Sequence, residues 1–433
     1  MQSRVRFRER EMKKTQLSGR AAAGAFASFA TVLALGAPAQ ATNGYFANGY
    51  NAESKAMAGS GVAVDNGVVG LAQNPALGNK VGNSAEGCIS LFAPDRGFSI
   101  GGAAPLTPGS YRSENDMFVV PCGGVNFQLN DRSSLGFLVY GNGGMNTEYI
   151  GNPFAGLGAG SSPLGVNLEQ VFMSLSYSFA VNESLSLGFA PIFAAQRFSA
   201  TGLEAFTAMS SNPAAVTNNG DDWSHGWGLN LGVVWEPSAE WTLGASYRTK
   251  MEMDPFRKYA GLFAEQGDFD IPATATLGAA FTPSANPALT LSAEFQRIFY
   301  SDVAAIGNSG ALLATPLGAA NGPGFGWKDM NVVRIAALYQ ASSQLTLRGG
   351  ISYATDFIEP NEVLLNTLAP ATINWHASIG ASYKMRNGWE LTGAYTHALD
   401  AEISGANLTP GFGQPVSLDM SQNELTFGVS YTW

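Results

Sequence analysis

Few residues in this chain could do covalent chemistry. Its three histidines are His225, His376 and His397, and its two cysteines are Cys88 and Cys122. No G-x-S-x-G nucleophile elbow, H-E-x-x-H zinc site or C-x-x-C pair is present. No cofactor or metal is expected, and the chain reads as a non-enzyme. A Ser-His-acid triad needs no local motif, so a lipase is carried as the enzyme alternative, with His397 near loop Ser and Asn residues. The cysteines suit a disulfide if the chain is exported. Whether they can meet depends on the elements that carry them.

Export is written at the start. Arg4, Arg6, Arg8, Arg10, Lys13, Lys14 and Arg20 accompany an apolar run, Ala21 to Leu35, and Ala39-Gln40-Ala41 supplies a small-x-small cleavage site. The run is shorter than the about 20 residues a helical span needs, which favours a cleaved signal peptide, residues 1–41, over an anchor. Met12 is an alternative start. This segment holds 7 of the 23 basic and 2 of the 33 acidic residues, leaving 16 against 31, a net of −15. So acidic a mature chain is a poor match for nucleic acid. Charged residues are 13% of the chain against 45% hydrophobic, a charged share about half the usual one. Yet no mature stretch stays apolar long enough for a transmembrane helix. Helical spans are excluded; strands are not.

Period-two alternation recurs along the mature chain. In residues 423–433, NELTFGVSYTW, the side chains of Leu425, Phe427, Val429, Tyr431 and Trp433 share one face. Glu424, Thr426, Gly428, Ser430 and Thr432 share the other. Apolar-out, small-polar-in alternation suits a lipid-facing barrel strand. Fourteen such segments fall near 85–93, 117–129, 134–142, 167–179, 185–195, 224–235, 241–251, 271–281, 289–300, 331–340, 345–355, 373–383, 389–398 and 423–433. Short turns such as Asn130 to Ser133 and Val181 to Ser184 alternate with loops of roughly 15 to 30 residues. A sandwich would not sort its connections this way; outer-membrane barrels do, with an even strand count.

The expected fold is therefore all-β, a 14-stranded antiparallel transmembrane β-barrel over 85–433 in the bacterial outer membrane. Its partners would be outer-membrane lipid and the barrel-assembly machinery, engaged through the last strand ending in Trp433, and it would be monomeric. Parity turns Arg248, Lys250, Glu294, Arg334, Arg348, Glu390 and Glu424 inward. They read either as ion pairs to a segment in the lumen or, for Arg248 and Arg334, as contacts to a ligand head group. His376 and His397 are expected among interface aromatics. The apolar loop stretches 154–164 and 311–317 read either as ordinary packing or as a landing surface. Parity also turns Cys88 and Cys122 inward, and pairing Ala93 with Met117 sets the two cysteines opposite each other, within disulfide reach. A register slip by two would leave two thiols.

Residues 42–84 precede the first strand, and a closed barrel leaves them no edge to join. Fourteen strands enclose more room than side chains alone fill, so this segment is assigned as an N-terminal hatch plugging the lumen. It contains Asn74-Pro75-Ala76. With NGYFANGYNAESKAMAGSGVAVDNGVVGLAQNPA from Asn43, GGMNTEY from Gly143, KYAGLFAEQGDFDIPA from Lys258 and RGGISY from Arg348, the mature chain resembles the long-chain fatty-acid transporter (FadL) family of outer-membrane proteins, which also includes importers of aromatic hydrocarbons.

The resemblance implies passive uptake of hydrophobic small molecules, long-chain fatty acids or hydrocarbons. Ligand would be caught among external loops, passed to an interior pocket gated by the hatch, and released sideways where the third strand kinks. Asn43, Gly44, Tyr45 and Phe46 would sit at the pocket. The kink would fall at Gly141, Gly143 and Gly144, since glycines permit a bulge; a plain strand end entering a loop is the other reading. Apolar surface leaves water favourably, at about 25 cal/mol per Å², so an opening into lipid suits such a solute better than an aqueous pore. The rival function is an open porin for small polar solutes, which would lack the plug.

Overall fold

The alternation is realised as fourteen antiparallel strands: β1 (Ser84–Ile100), β2 (Phe118–Asn130), β3 (Ser133–Tyr149), β4 (Leu164–Ala180), β5 (Leu185–Thr201), β6 (Asp222–Ser238), β7 (Trp241–Arg248), β8 (Thr274–Phe281), β9 (Leu289–Ile298), β10 (Met330–Gln340), β11 (Leu345–Ala354), β12 (Trp375–Lys384), β13 (Trp389–Ala406) and β14 (Pro415–Thr432). The computed structural model describes residues 42–433 apart from 104, 159–162, 311–314, 407 and 410. The expected signal peptide and most of the 311–317 stretch lie outside the described residues. Each strand pairs with the next, and β14 pairs with β1 from Ser84–Thr432 to Ile100–Val416, which closes the ring. Closure is what a bilayer demands, because it offers no partner for an unpaired strand edge.

The wall is uneven. Strands β1 and β3 to β6 have 17 residues each and β13 and β14 have 18, whereas β7 and β8 have only 8. About 9–11 tilted residues cross a bilayer, so the long strands continue beyond it on the long-loop side. Here the expected ends are corrected. The first strand runs past 93 to Ile100, the third past 142 to Tyr149, and the last two reach Ala406 and back to Pro415. Beyond the bilayer an outward residue need not be apolar; Asp400, Glu402 and Ser404 take the outward places on β13, and the alternating signal fades.

The lipid face carries exposed Leu391, Leu425, Phe427 and Val429. At its short-turn end aromatic pairs form a girdle, Trp241–Phe281 at 4.7 Å and Trp389–Tyr431 at 5.0 Å. His397 faces outward beside Tyr395, its Nδ1 2.9 Å from Asn423 Oδ1. His376 does not join the interface aromatics. It points inward, 1% exposed, with Nδ1 3.3 Å from Ser352 Oγ, because its neighbour Trp375 takes the outward place.

Residues 42–83 form no barrel strand. They fold into short turns whose polar groups bond to inward side chains around the ring. Asn51 and Ser54 cap each other at the start of the helix Ala52–Ala56. Asn74 caps the turn Pro75–Leu77 through the Ala76 N–H and also donates to Val62 O and Val233 O, while proline at the first position needs no donor. This Asn-Pro-Ala turn lies directly on the wall: a Cβ at Gly188 would come within 2.3 Å of the Ala76 nitrogen, and one at Gly232 within 2.1 Å of Asn74 Oδ1. Turn backbone at Gly188 and the capping Asn74 side chain at Gly232 stand where a Cβ would be, so both wall positions need glycine.

Candidate functional site

Buried peptide groups need partners, and the lumen supplies them from acidic and amide side chains. Glu294 on β9 accepts from Gly61 N and Val62 N, each at 2.9 Å, and from Arg334 of β10 at 2.9 Å. Glu86 on β1 accepts from Asn51 Nδ2 at 2.8 Å and Val69 N at 3.0 Å. Lys55 pairs with Glu424 of β14 and donates to Ser90 at 3.0 Å. Arg334 thus belongs to an ion pair, with further bonds to Asn48 and Gln296. Arg348 bonds to Ser382, and Lys250 to Asp270 at 2.6 Å.

Arg248 differs. Its guanidinium is 5% exposed and has no carboxylate partner among the described residues. It lies over the rings of Phe46 at 4.8 Å and Phe172 at 5.2 Å. Nη1 donates to Asn142 Oδ1 at 2.9 Å and Tyr50 OH at 3.2 Å, while Nε has no partner. It borders a small polar cavity of about 30 Å³ lined also by Gln73, Asn230, Glu294 and Arg334. Gln73 Oε1 and Asn230 Oδ1 are unpartnered there, and such groups call for water or a polar solute.

Above it lies a greasy interior. Tyr45 is fully buried, 5.0 Å from the Phe46 ring, 5.5 Å from Tyr300, 6.0 Å from Trp327 and 6.1 Å from Phe269. Asn43 O accepts from Tyr300 OH, and Gly44, at φ +64°, has Tyr300 where a side chain would stand. The four residues Asn43 to Phe46 therefore sit together between the lumen and the loops. Phe269 and Tyr300 come from the loops 249–273 and 299–329, so those loops fold back into the barrel mouth. Within them Phe263 packs on Phe198 at 4.7 Å and Phe269 at 4.8 Å. Of the proposed landing surface, Phe154 is 1% exposed against Phe206 and Leu164 is also buried; these side chains serve packing.

The wall itself is interrupted beside this aromatic cluster. The β2–β3 ladder runs from Asn130–Ser133 up to Gly123–Val139 and stops. Above it, Phe118 to Cys122 pair only with β1, while β3 goes on pairing with β4 to Tyr149–Leu164. Pro121 brings no N–H to this stretch, and β3 bulges between Gly141 and Gly143. Gly143 has φ +149°, a conformation side chains disfavour. The N-terminal segment takes the vacant edge: Ala47 N donates to Asn142 O and Gly144 N to Tyr45 O, both at 2.8 Å, and Phe46 bridges Gly143. Higher still the strands are tied again, by Glu114 N to Glu148 O at 2.8 Å and Asn115 to Asn146 at 2.7 Å. The result is a bounded unladdered patch of wall, filled from inside by Tyr45 to Ala47.

Cys88 and Cys122 stand opposite each other on β1 and β2, with Cα atoms 4.9 Å apart and their sulfurs bonded. The bridge lies beside Tyr50, whose carbonyl is 3.8 Å from the Cys88 sulfur. It thus ties the free part of β2 to β1.

Over residues 32–433 the sequence matches the family "Outer membrane protein transport protein (OMPP1/FadL/TodX)". The chain belongs to this family. It is 24% identical over 222 residues to the long-chain fatty acid transport protein of Escherichia coli O6:H1, an alignment covering 46% of this chain and 48% of that protein, about half of either. The fold is shared with the P. putida toluene transporter TodX, at TM-score 0.67 and 19% identity over 89% of this chain and 99% of that one. A Pseudomonas aeruginosa FadL homologue gives TM-score 0.67 at 17% identity, over 90% and 99%. The Ralstonia pickettii toluene transporter TbuX gives 0.60 at 19%, over 89% and 99%.

For a FadL/TodX family member the sequence reading missed the groups that connect these parts. Asn142 on the bulge bonds to Gln170 at 2.9 Å, Gln170 to Gln196 at 3.0 Å, and Gln196 to Phe269 O at 2.9 Å. Inward amides in consecutive strands were the available signal. The lipase alternative gains nothing, because no carboxylate bonds to His376 or His397 among the described residues and the orienting acid of a triad is missing there.

Proposed function

We propose that this protein carries hydrophobic small molecules passively across the outer membrane and releases them sideways through the wall. The observation that carries the reading is the unladdered patch between β2 and β3, where main-chain bonds from Tyr45 to Ala47 take up the β3 edge. A ligand that displaced this short segment would open the aromatic pocket to lipid with no strand of the ring unpaired on both sides. Residues 42–83 act as the hatch, held to the lumen by the ion pairs and amides above. Of the two arginines considered for a ligand head group, Arg334 is occupied by Glu294, which leaves Arg248 as the contact at the pocket floor. A plugged lumen speaks for this reading over an open porin.

Gly143→Val tests it. A β-branched side chain at this φ is strained, so the bulge should relax and the patch close. Uptake of a hydrophobic probe such as toluene or palmitate by cells lacking other importers should fall several-fold, with surface amounts of barrel unchanged. Uptake equal to wild type would place the exit elsewhere.

A further inference from the structure

A second buried guanidinium lies where the wall patch ends. Arg96 on β1 is 3% exposed and shares the inward face with Phe92, Phe98 and Ile100. It has no carboxylate partner among the described residues. Nη2 donates to Asn115 O at 3.2 Å, Nε has no partner, and the group lies 5.5 Å from the centre of the Phe118 ring. The nearby acids Asp95 and Asp419 are both engaged by Arg112 on the outer face. Both neighbours of Arg96 belong to the border of the opening. Phe118 begins the free part of β2, and Asn115 ties that strand to Asn146 of β3 across its top. Two residues on, Phe98 packs edge-to-face on Tyr149 of β3 at 4.8 Å.

Burying a cation without a counter-ion is costly, and one backbone carbonyl and a ring face do not replace a carboxylate. A guanidinium with free donors in a dry setting is suited to bind a planar anion in a two-point contact. The long-loop side of the patch is also the side toward which an amphiphile entering the outer leaflet would leave its head, its tail having moved into hydrocarbon.

We propose that Arg96 is an anion site at the upper edge of the lateral opening, and that it takes the carboxylate of an amphipathic acid as the tail passes between β2 and β3. The site rests on the lateral-exit reading above and narrows its cargo to acids. It is separate from Arg248, which lies on β7 at the pocket floor.

The test uses the purified full-length barrel and two probes of equal chain length, palmitate and methyl palmitate. Wild type should bind palmitate at least tenfold more tightly than the ester. Arg96→Met should lose most of that preference with Arg248 intact, Arg96→Lys should keep part of it, and ester binding should not change. An undiminished preference in Arg96→Met overturns the site. So does equal binding of acid and ester by wild type, whereas failure of wild type to bind either would overturn the transport reading itself. If Arg96→Met does not assemble, a structure of the unaltered protein with palmitate decides. A carboxylate on the Arg96 guanidinium supports the site; a carboxylate elsewhere overturns it. A lipid phosphate on Arg96 with and without palmitate would assign the residue to bilayer anchoring and also overturn it.

Discussion

Glu294 shows how much a single lumen residue can hold. Its carboxylate neutralises Arg334 and satisfies two consecutive N–H groups of the N-terminal segment, Gly61 and Val62. Removing one member of a buried ion pair costs about 3–5 kcal/mol because the other charge is left without a partner. Glu294→Ala should therefore lower barrel stability by about that amount, read as the shift in the midpoint of heat-dependent mobility or of urea unfolding. Glu294→Gln should cost less, since its amide oxygen still accepts from Gly61 and Val62. An unchanged midpoint in Glu294→Ala would mean that the segment is held elsewhere. Parity alone turned Glu294, Arg334 and Arg248 inward. It could not say that the first two are partners and the third is not, because the pairing depends on which residues of 42–83 reach each strand. Arg96 was invisible for a simpler reason. Pro94 and the polar stretch after it read as the end of the first strand, yet β1 continues there, beyond its last pair with β2 at Phe92–Phe118, where a missing N–H is tolerated.

At the scale of elements, the loop 249–273 is held in an unusual backbone. Glu265, Gln266 and Gly267 have φ of 55°, 61° and 100°, with Glu265 N bonded to Ala319 O at 2.9 Å and Gln266 N to Gly318 O at 3.0 Å. Non-glycine residues in this region are strained by about 1–2 kcal/mol each, so the loop keeps the turn only while docked. Next to it, burial and the neighbouring charge of Asp270 push the Asp268 carboxyl up to about 7, with Glu265 adding to the shift and Lys250 opposing it. A carboxyl held above its usual value of 3.8 favours the docked loop fully below that value, and the contribution is lost as pH rises through about 7. Hydrogen exchange in 249–273, corrected for intrinsic pH dependence, should therefore speed up between about pH 4 and pH 7, the range spanning that loss. Asp268→Asn should flatten the profile. A wild-type profile already flat would remove Asp268 as its cause. The sequence marked this block as a motif, but the left-handed turn follows from docking on Gly318 and Ala319, far along the chain.

For the whole molecule, the ring and its contents are separable in principle. The strands bond to one another around a closed circle, and residues 42–83 bond to their inward side chains. Deleting residues 42–83 should leave a barrel that assembles but conducts ions strongly in a planar bilayer, where the intact protein conducts little. Unchanged conductance together with normal hydrophobic uptake would sink the hatch assignment.

The sequence by itself determined the class of this protein. The fourteen strands and their inward and outward faces follow from local patterns, since a period of two needs only neighbouring residues to be seen, whereas the register that sets Cys88 against Cys122 was one of two the sequence allowed and the structure selected it. Tertiary structure alone decided which inward groups meet. Lys55 and Glu424 are 369 residues apart, and the break in the β2–β3 ladder depends on a bulge, a proline and an N-terminal segment that come together only when the ring closes. Contacts across a lumen have no period along the chain, so the surroundings of Arg248 and Arg96 appear only once the barrel is closed around its N-terminus.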